Sequence, residues 1–118
     1  MHELSVCQGM LSQMNAIAAE HGARAITSVT VQIGPLSGVE PELLAQAFSI
    51  ASAGGIADGA RLQLDSLPIR VHCESCSAET EAAANRLLCG ACGDWHTRLI
   101  SGDELLLASV ELETGKPS

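Results

Sequence analysis

Apolar residues recur at Leu4, Cys7, Met10, Leu11, Met14, Ile17 and Ala18, the three-four spacing of an amphipathic helix. Gly22 offers a stop for that helix, and His21 falls in its last turn, where a cation suits the dipole. Thr27, Val29, Val31 and Ile33 then alternate with Ser28, Thr30 and Gln32. This period of two, rich in β-branched residues, predicts a strand that Gly34-Pro35 ends. The segment VEPELLAQAFSIASAGG predicts a second helix. Pro41 suits its first position, acidic residues fill the first turn, and Leu44, Ala47, Phe48 and Ala51 share a face.

A second strand starts near Arg61, with Leu62 and Leu64 on one face. The apolar phase then moves to Leu67, Ile69 and Val71 around Pro68. A one-residue change of phase turns side chains to the opposite face, so a bend, a bulge or an exit from the sheet is expected there. Near the end, Leu106, Ala108, Val110 and Leu112 alternate with Leu107, Ser109, Glu111 and Glu113 as a third strand. The order predicts an α+β fold: two helices packed on a three-stranded sheet, with a small, zinc-ribbon-like four-cysteine module inserted before the last strand. Residues 1–70 and 102–118 form the main domain on this reading, and residues 71–101 the insertion.

Composition narrows the function. A core is affordable at 47% hydrophobic content, but one Phe, one Trp and no Tyr leave it to aliphatic residues and Met. A formal charge of −8 argues against nucleic acid, whose affinity rests on cations neutralising phosphates. No stretch reaches the ~20 apolar residues of a membrane span, and the start lacks the basic and apolar regions of a signal peptide. The expected location is therefore cytoplasmic, where structural disulfides are rare.

That location gives the five cysteines their meaning. CESC and CGAC place Cys73, Cys76, Cys89 and Cys92 in two C-x-x-C pairs separated by twelve residues, while Cys7 stands alone on the apolar helix face. Two residues between thiolates let a tight turn aim both sulfurs at one ion, and two such knuckles complete a tetrahedral Zn²⁺ site. A disulfide framework is the lesser alternative. His72-Cys73-Glu74 with Cys89 and Cys92 superficially echoes a zinc deaminase, H-x-E then P-C-x-x-C. Leu88 replaces the proline, two cysteines would be left over, and four thiolates leave no open position for water. The expected site is structural and the protein not an enzyme. Four thiolates around Zn²⁺ carry a charge of −2, which backbone N–H groups, His72, His96 or Arg70 could soften; ordinary loop polarity is the plainer reading of those three.

The start, MHELS, offers different chemistry. The amine of Met1, the amide nitrogen of His2 and its imidazole can form fused chelate rings around one cation, with Glu3 as a further donor. Nitrogen-rich, planar donors suit Ni²⁺ or Cu²⁺. On chemistry alone, Glu3 merely favouring the helix dipole and His2 merely solvated is the better reading of two residues.

Taken together, the residues resemble the HypA/HybF hydrogenase maturation factors. The likeness covers the chain to about Glu113 and rests on MHELSVCQ, GPLSGVEPELLAQAF, ADGARLQL, CESC, CGAC and SGDELLLASVELE, in the expected order and spacing. The resemblance implies a nickel-binding domain with two helices against a three-stranded sheet, plus an inserted zinc domain. It implies that Met1, His2 and Glu3 hold Ni²⁺ as transferable cargo, and that Cys73, Cys76, Cys89 and Cys92 hold one structural Zn²⁺. It also implies delivery of nickel to the large subunit of [NiFe] hydrogenase with the accessory GTPase HypB, and in some members a urease role. The WHT after the second knuckle and the Lys-Pro-Ser tail fall outside the pattern without touching the implied ligands. No nucleic-acid or membrane partner is expected, and the chain should be a monomer or weak homodimer. The competing class is a zinc-ribbon adaptor for proteins that ignores nickel.

Overall fold

A computed structural model describes residues 2–114, His2 through its backbone alone. The elements are α1 (His2–Glu20), β1 (Ala25–Ile33), α2 (Pro41–Ala51), β2 (Arg61–Ser66), β3 (Arg70–Cys73), β4 (Glu79–Glu81), β5 (Thr97–Ser101) and β6 (Leu105–Glu113). They form two three-stranded sheets, ordered β2-β1-β6 and β4-β3-β5. Contacts divide the chain into two compact units. Within the described residues, one draws on 2–31, 39–64 and 107–114, the other on Gln32–Gly38 and Asp65–Leu106.

In the first unit, α1 buries Cys7, Met10, Met14 and Ala18 and packs against α2, which buries Leu44, Ala47 and Phe48. Each large apolar side chain taken fully from water contributes about 1.5–3 kcal/mol before entropy is counted. The helix stop is as expected. Ala23 N–H donates to Ala18 O (2.9 Å) and Gly22 N–H to Ala19 O (3.2 Å), a Schellman pair closed by Gly22 at φ 65°. His21 lies just past α1, and its Nδ1 is 2.9 Å from Ile17 O. A carbonyl only accepts, so Nδ1 carries the proton in that bond.

α2 begins without a side-chain cap of its own. In a capping box the N3 residue reaches back to the N-cap N–H, but here N3 is Leu43. Glu3 of α1 takes that role instead, its carboxylate accepting from the N-cap Glu40 N–H at 3.3 Å.

The β1 pattern differs from expectation at its start. Ile26, Val29 and Val31 are buried, whereas Thr27 is exposed and its hydroxyl donates to Glu111 O at 3.2 Å. Arg24 N–H donates to Glu113 O (2.8 Å), and the two contacts together make β1 and β6 antiparallel. β6 departs more. Leu106 and Ala108 are exposed while Leu107 is half-buried, and only beyond Ser109 do Val110 and Leu112 turn inward. A continuous alternation assigned the first half of this strand to the wrong face, because three successive leucines carry no phase.

In the second unit the chain leaves β2 where the phase change lies. Leu67 N–H donates to Ile33 O (2.8 Å), and β3 starts three residues later. β3 pairs antiparallel with β4 (Val71↔Thr80) and β5 (Val71↔Leu99), with a bulge between Arg70 and Val71. This second sheet is not in the sequence reading. Beside it, Gly34 N–H donates to Glu104 O (2.8 Å) and Leu36 N–H to Gly102 O (2.7 Å). The two backbones lie so close that a Cβ on Gly34 would enter the Gly102 carbonyl and come within 2.8 Å of Asp103 N. Gly102 itself has φ 119° and would place a Cβ 3.0 Å from Ile69 Cα.

Two glycines therefore have opposite expected effects. Gly9 lies exposed in α1 with open space around it, so Gly9→Ala should raise unfolding stability by about 0.5–1 kcal/mol through helix propensity. Gly34→Ala should lower it by about 1–3 kcal/mol, because backbone cannot yield as a side chain can. Denaturant midpoints of the two variants check the pair, and equal signs would contradict the close approach.

Candidate metal centre

Two knuckles of the same construction meet at the end of β3. In the first, Cys73 closes the strand, its N–H donates to Ala78 O and its O accepts from Ser77 N–H, both at 2.9 Å. In the second, Cys89 N–H donates to Asp94 O and Cys89 O accepts from Gly93 N–H, again at 2.9 Å. The residue four after the first cysteine is left-handed in both: Ser77 at φ 64° and Gly93 at φ 78°. Ser77 is the one non-glycine with positive φ among the described residues.

The folding of these loops brings all four sulfurs within 4.8 Å of one another. Cys73 and Cys92 Sγ are 3.6 Å apart, as are Cys76 and Cys89 Sγ. Sulfurs at ~2.3 Å from a tetrahedral Zn²⁺ are separated by about 3.8 Å, so the donor set fits that ion. Sulfur acceptors are served by the backbone: Cys76 N–H reaches Cys73 Sγ (3.4 Å), while Ala91 and Cys92 N–H reach Cys89 Sγ (3.3 and 3.4 Å). Cys73 and Cys89 are buried; Cys76 and Cys92 face outward. Cys7 lies elsewhere, fully buried on α1, its thiol 3.5 Å from Leu44 O. Burial, and secondarily Glu3, pushes that thiol up, as befits an inert core cysteine.

The charge-softening candidates engage other groups. Arg70 donates to Glu79 O (3.2 Å), and His72 Nδ1 is buried without a hydrogen bond, 3.6 Å from the Glu79 carboxylate. His96 Nδ1 lies 2.9 Å from Asp94 Oδ1, and its ring stacks on Trp95 at 3.7 Å between centroids.

Links between the knuckles are the part that sequence reasoning missed. Ser75, inside CESC, donates its hydroxyl to Asp94 Oδ2. Gly90, inside CGAC, donates N–H to Thr80 Oγ1 at 2.8 Å. A Cβ on Gly90 would come within 3.1 Å of Thr80 Cβ, so a small residue is needed there. The Ser75 hydroxyl and then His96 hold the Asp94 carboxyl well below the usual carboxylate range. The only signal in the sequence was a turn-prone Asp two residues past the last cysteine.

Of the terminal candidates, Met1 and the side chain of His2 lie outside the described residues. Glu3 is described, and its carboxylate serves Glu40 as above.

An α+β fold carrying a closed four-thiolate cage defines a metal-binding protein. Residues 1–112 match the family described as hydrogenase/urease nickel incorporation, metallochaperone, hypA. The hydrogenase maturation factor HypA of Nitrosospira multiformis is 47% identical over 114 residues, 97% of this chain and 99% of the relative. That of Aquifex aeolicus is 40% identical over 113 residues, 96% and 98% of the two chains. The solution structure of the Ni metallochaperone HypA from Helicobacter pylori shares the fold, with a TM-score of 0.68 at 24% identity, covering 94% of this chain and 97% of that one. A second HypA solution structure aligns at 0.74 and 25% identity, covering 97% and 98%. The chain belongs to the HypA family.

The thiols predict the pH response. Without a cation, the N–H groups of Cys92 and Ala91 lower the Cys89 thiol to about 6. At Cys92, the Asp94 N–H lowers the thiol, but neighbouring Cys73 and Cys76 outweigh it and push it up to about 12. Metal entry at neutral pH must therefore displace protons, and the bound form holds fewer of them than the free form. Affinity should rise as pH rises from 5 to 8 and fall on acidification. Competition with a chelator across that range measures this, and a flat profile would exclude thiolate ligation.

The matched left-handed positions give a second expectation. Gly93→Ala should cost about 1 kcal/mol of module stability, and Ser77→Gly should gain up to about 1 kcal/mol. Chelator midpoints of metal-loaded protein would register both.

Proposed function

We propose that this chain is a nickel metallochaperone that supplies Ni²⁺ during maturation of [NiFe] hydrogenase and carries one structural Zn²⁺. The match to the family over residues 1–112 carries this reading. The cage supports the zinc half: four ligands close the coordination shell, and a closed shell favours retention over catalysis. Cys73, Cys76, Cys89 and Cys92 hold the zinc. Residues 71–101 are the zinc-binding domain, and residues 1–70 with 102–118 are the nickel-binding domain.

Met1, His2 and Glu3 form the nickel site, with the terminal amine, the amide and imidazole nitrogens of His2, and Glu3 as donors. Nitrogen donors suit Ni²⁺ better than the soft sulfurs do, so the two metals sort between the sites by ligand type. The partners are the GTPase HypB and the hydrogenase large subunit; the family description names urease beside hydrogenase. The protein works in the cytoplasm, as a monomer or weak homodimer. Among the described residues no helix is long and apolar enough to cross a membrane.

Nickel titration of zinc-loaded protein with a tag-free start tests this. Wild type should bind one Ni²⁺. His2→Ala, and separately a short N-terminal extension, should each weaken binding by at least about tenfold, with zinc content unchanged. Wild-type affinity in both variants would remove the terminal site and leave a zinc-ribbon adaptor as the better reading.

A further inference from the structure

We propose that Asp94 is a positioning residue for the caged ion: with Ser75 and His96 it forms a clasp that joins the two knuckles and slows release of the metal. The clasp rests on the zinc reading above and deepens it.

Each knuckle fixes its own pair of sulfurs by internal hydrogen bonds, and within each pair the geometry is set locally. Release of an ion requires the pairs to part. Cys73 and Cys76 then move away from Cys89 and Cys92. Asp94 spans that division. Its backbone carbonyl accepts from Cys89 N–H at 2.9 Å, which ties it to the second knuckle. Its Oδ2 accepts from Ser75 Oγ, which lies between Cys73 and Cys76 in the first. Its Oδ1 faces His96 Nδ1 at 2.9 Å and His96 N–H at 3.3 Å, which holds the carboxylate aimed across the gap. His96 is itself fixed, stacked on Trp95 and joined through its carbonyl to Glu74 N–H at 2.9 Å.

Electrostatics argues that the role is mechanical. A carboxylate beside a four-thiolate zinc centre of charge −2 is repelled by it. If its charge mattered through repulsion of the thiolates, removing that charge would strengthen binding. A clasp predicts the reverse for any substitution that loses the acceptor, and little change for one that keeps it. Asn retains an oxygen for the Ser75 hydroxyl while losing the charge.

The experiment follows transfer of zinc from the full-length, zinc-loaded protein to excess pyridylazoresorcinol. Asp94→Ala and Ser75→Ala should each accelerate release by about 10–100-fold, the scale of lost outer-shell contacts. The double variant should be no faster than Asp94→Ala alone, since both remove one link. Asp94→Asn should stay within about threefold of wild type by keeping the Ser75 contact. Far-UV circular dichroism of α1 and α2 should be unchanged throughout. Wild-type release in Asp94→Ala, equal acceleration in Asp94→Asn, or multiplying effects in the double variant would each overturn the clasp. If Asp94→Ala fails to load metal, Ser75→Ala and Asp94→Asn decide it alone. Wild-type protein that retains no zinc would instead overturn the zinc reading itself.

Discussion

Four sulfurs held within 4.8 Å of one another repel as thiolates and can share the site only with protons or a cation between them. Much of the second unit depends on that constraint. The strands around the cage are short: β3 has four residues, β4 three and β5 five. Val71 is the one fully buried branched aliphatic side chain they contribute. So small a core supplies little stability against chain entropy, and an ion bound by four thiolates contributes folding free energy directly. The cage sits where the elements converge. Cys73 ends β3, and the second knuckle leads through Asp94 and His96 into β5.

The first unit is held by different physics. Its helices bury Met, Leu, Cys and Ala with a single Phe, so stability comes from many modest aliphatic contacts. The exposed Arg24–Glu113 pair at 3.2 Å adds little beside them, because solvated ion pairs are worth about 0–1 kcal/mol. The helix ends are settled by backbone geometry, with the Gly22 stop on α1 and Pro41 opening α2. One unit thus rests on periodic apolar burial and the other on a ligand set, and these leave very different traces in a sequence.

That difference explains what was legible. Both helices and β1 follow from apolar period, because burial imposes period on long elements. The break at Pro68 was visible as a change of phase. The four cysteines were visible because ligand spacing is discrete. β4 was not: Glu79-Thr80-Glu81 has no apolar residue, and its pairing with β3 is fixed by the turn between them. The face of β6 is not legible because residues 105–107 are all leucine and fit either of the two phases, and only packing selects between them. The Ser75–Asp94 link joins residues nineteen apart that are individually ordinary turn formers. No one-dimensional pattern connects them before the knuckles are folded.

Glu3 shows how fold and proposed cargo chemistry share one residue. Its carboxylate supplies to the N-cap of α2 the contact that Leu43, at N3, lacks the chemistry to make. This bond spans 37 positions and sets the start of α1 beside the start of α2. The contact to Glu40 ties this carboxylate to the fold. If Glu3 also serves the proposed cation, the contact to Glu40 fixes where its carboxylate is presented.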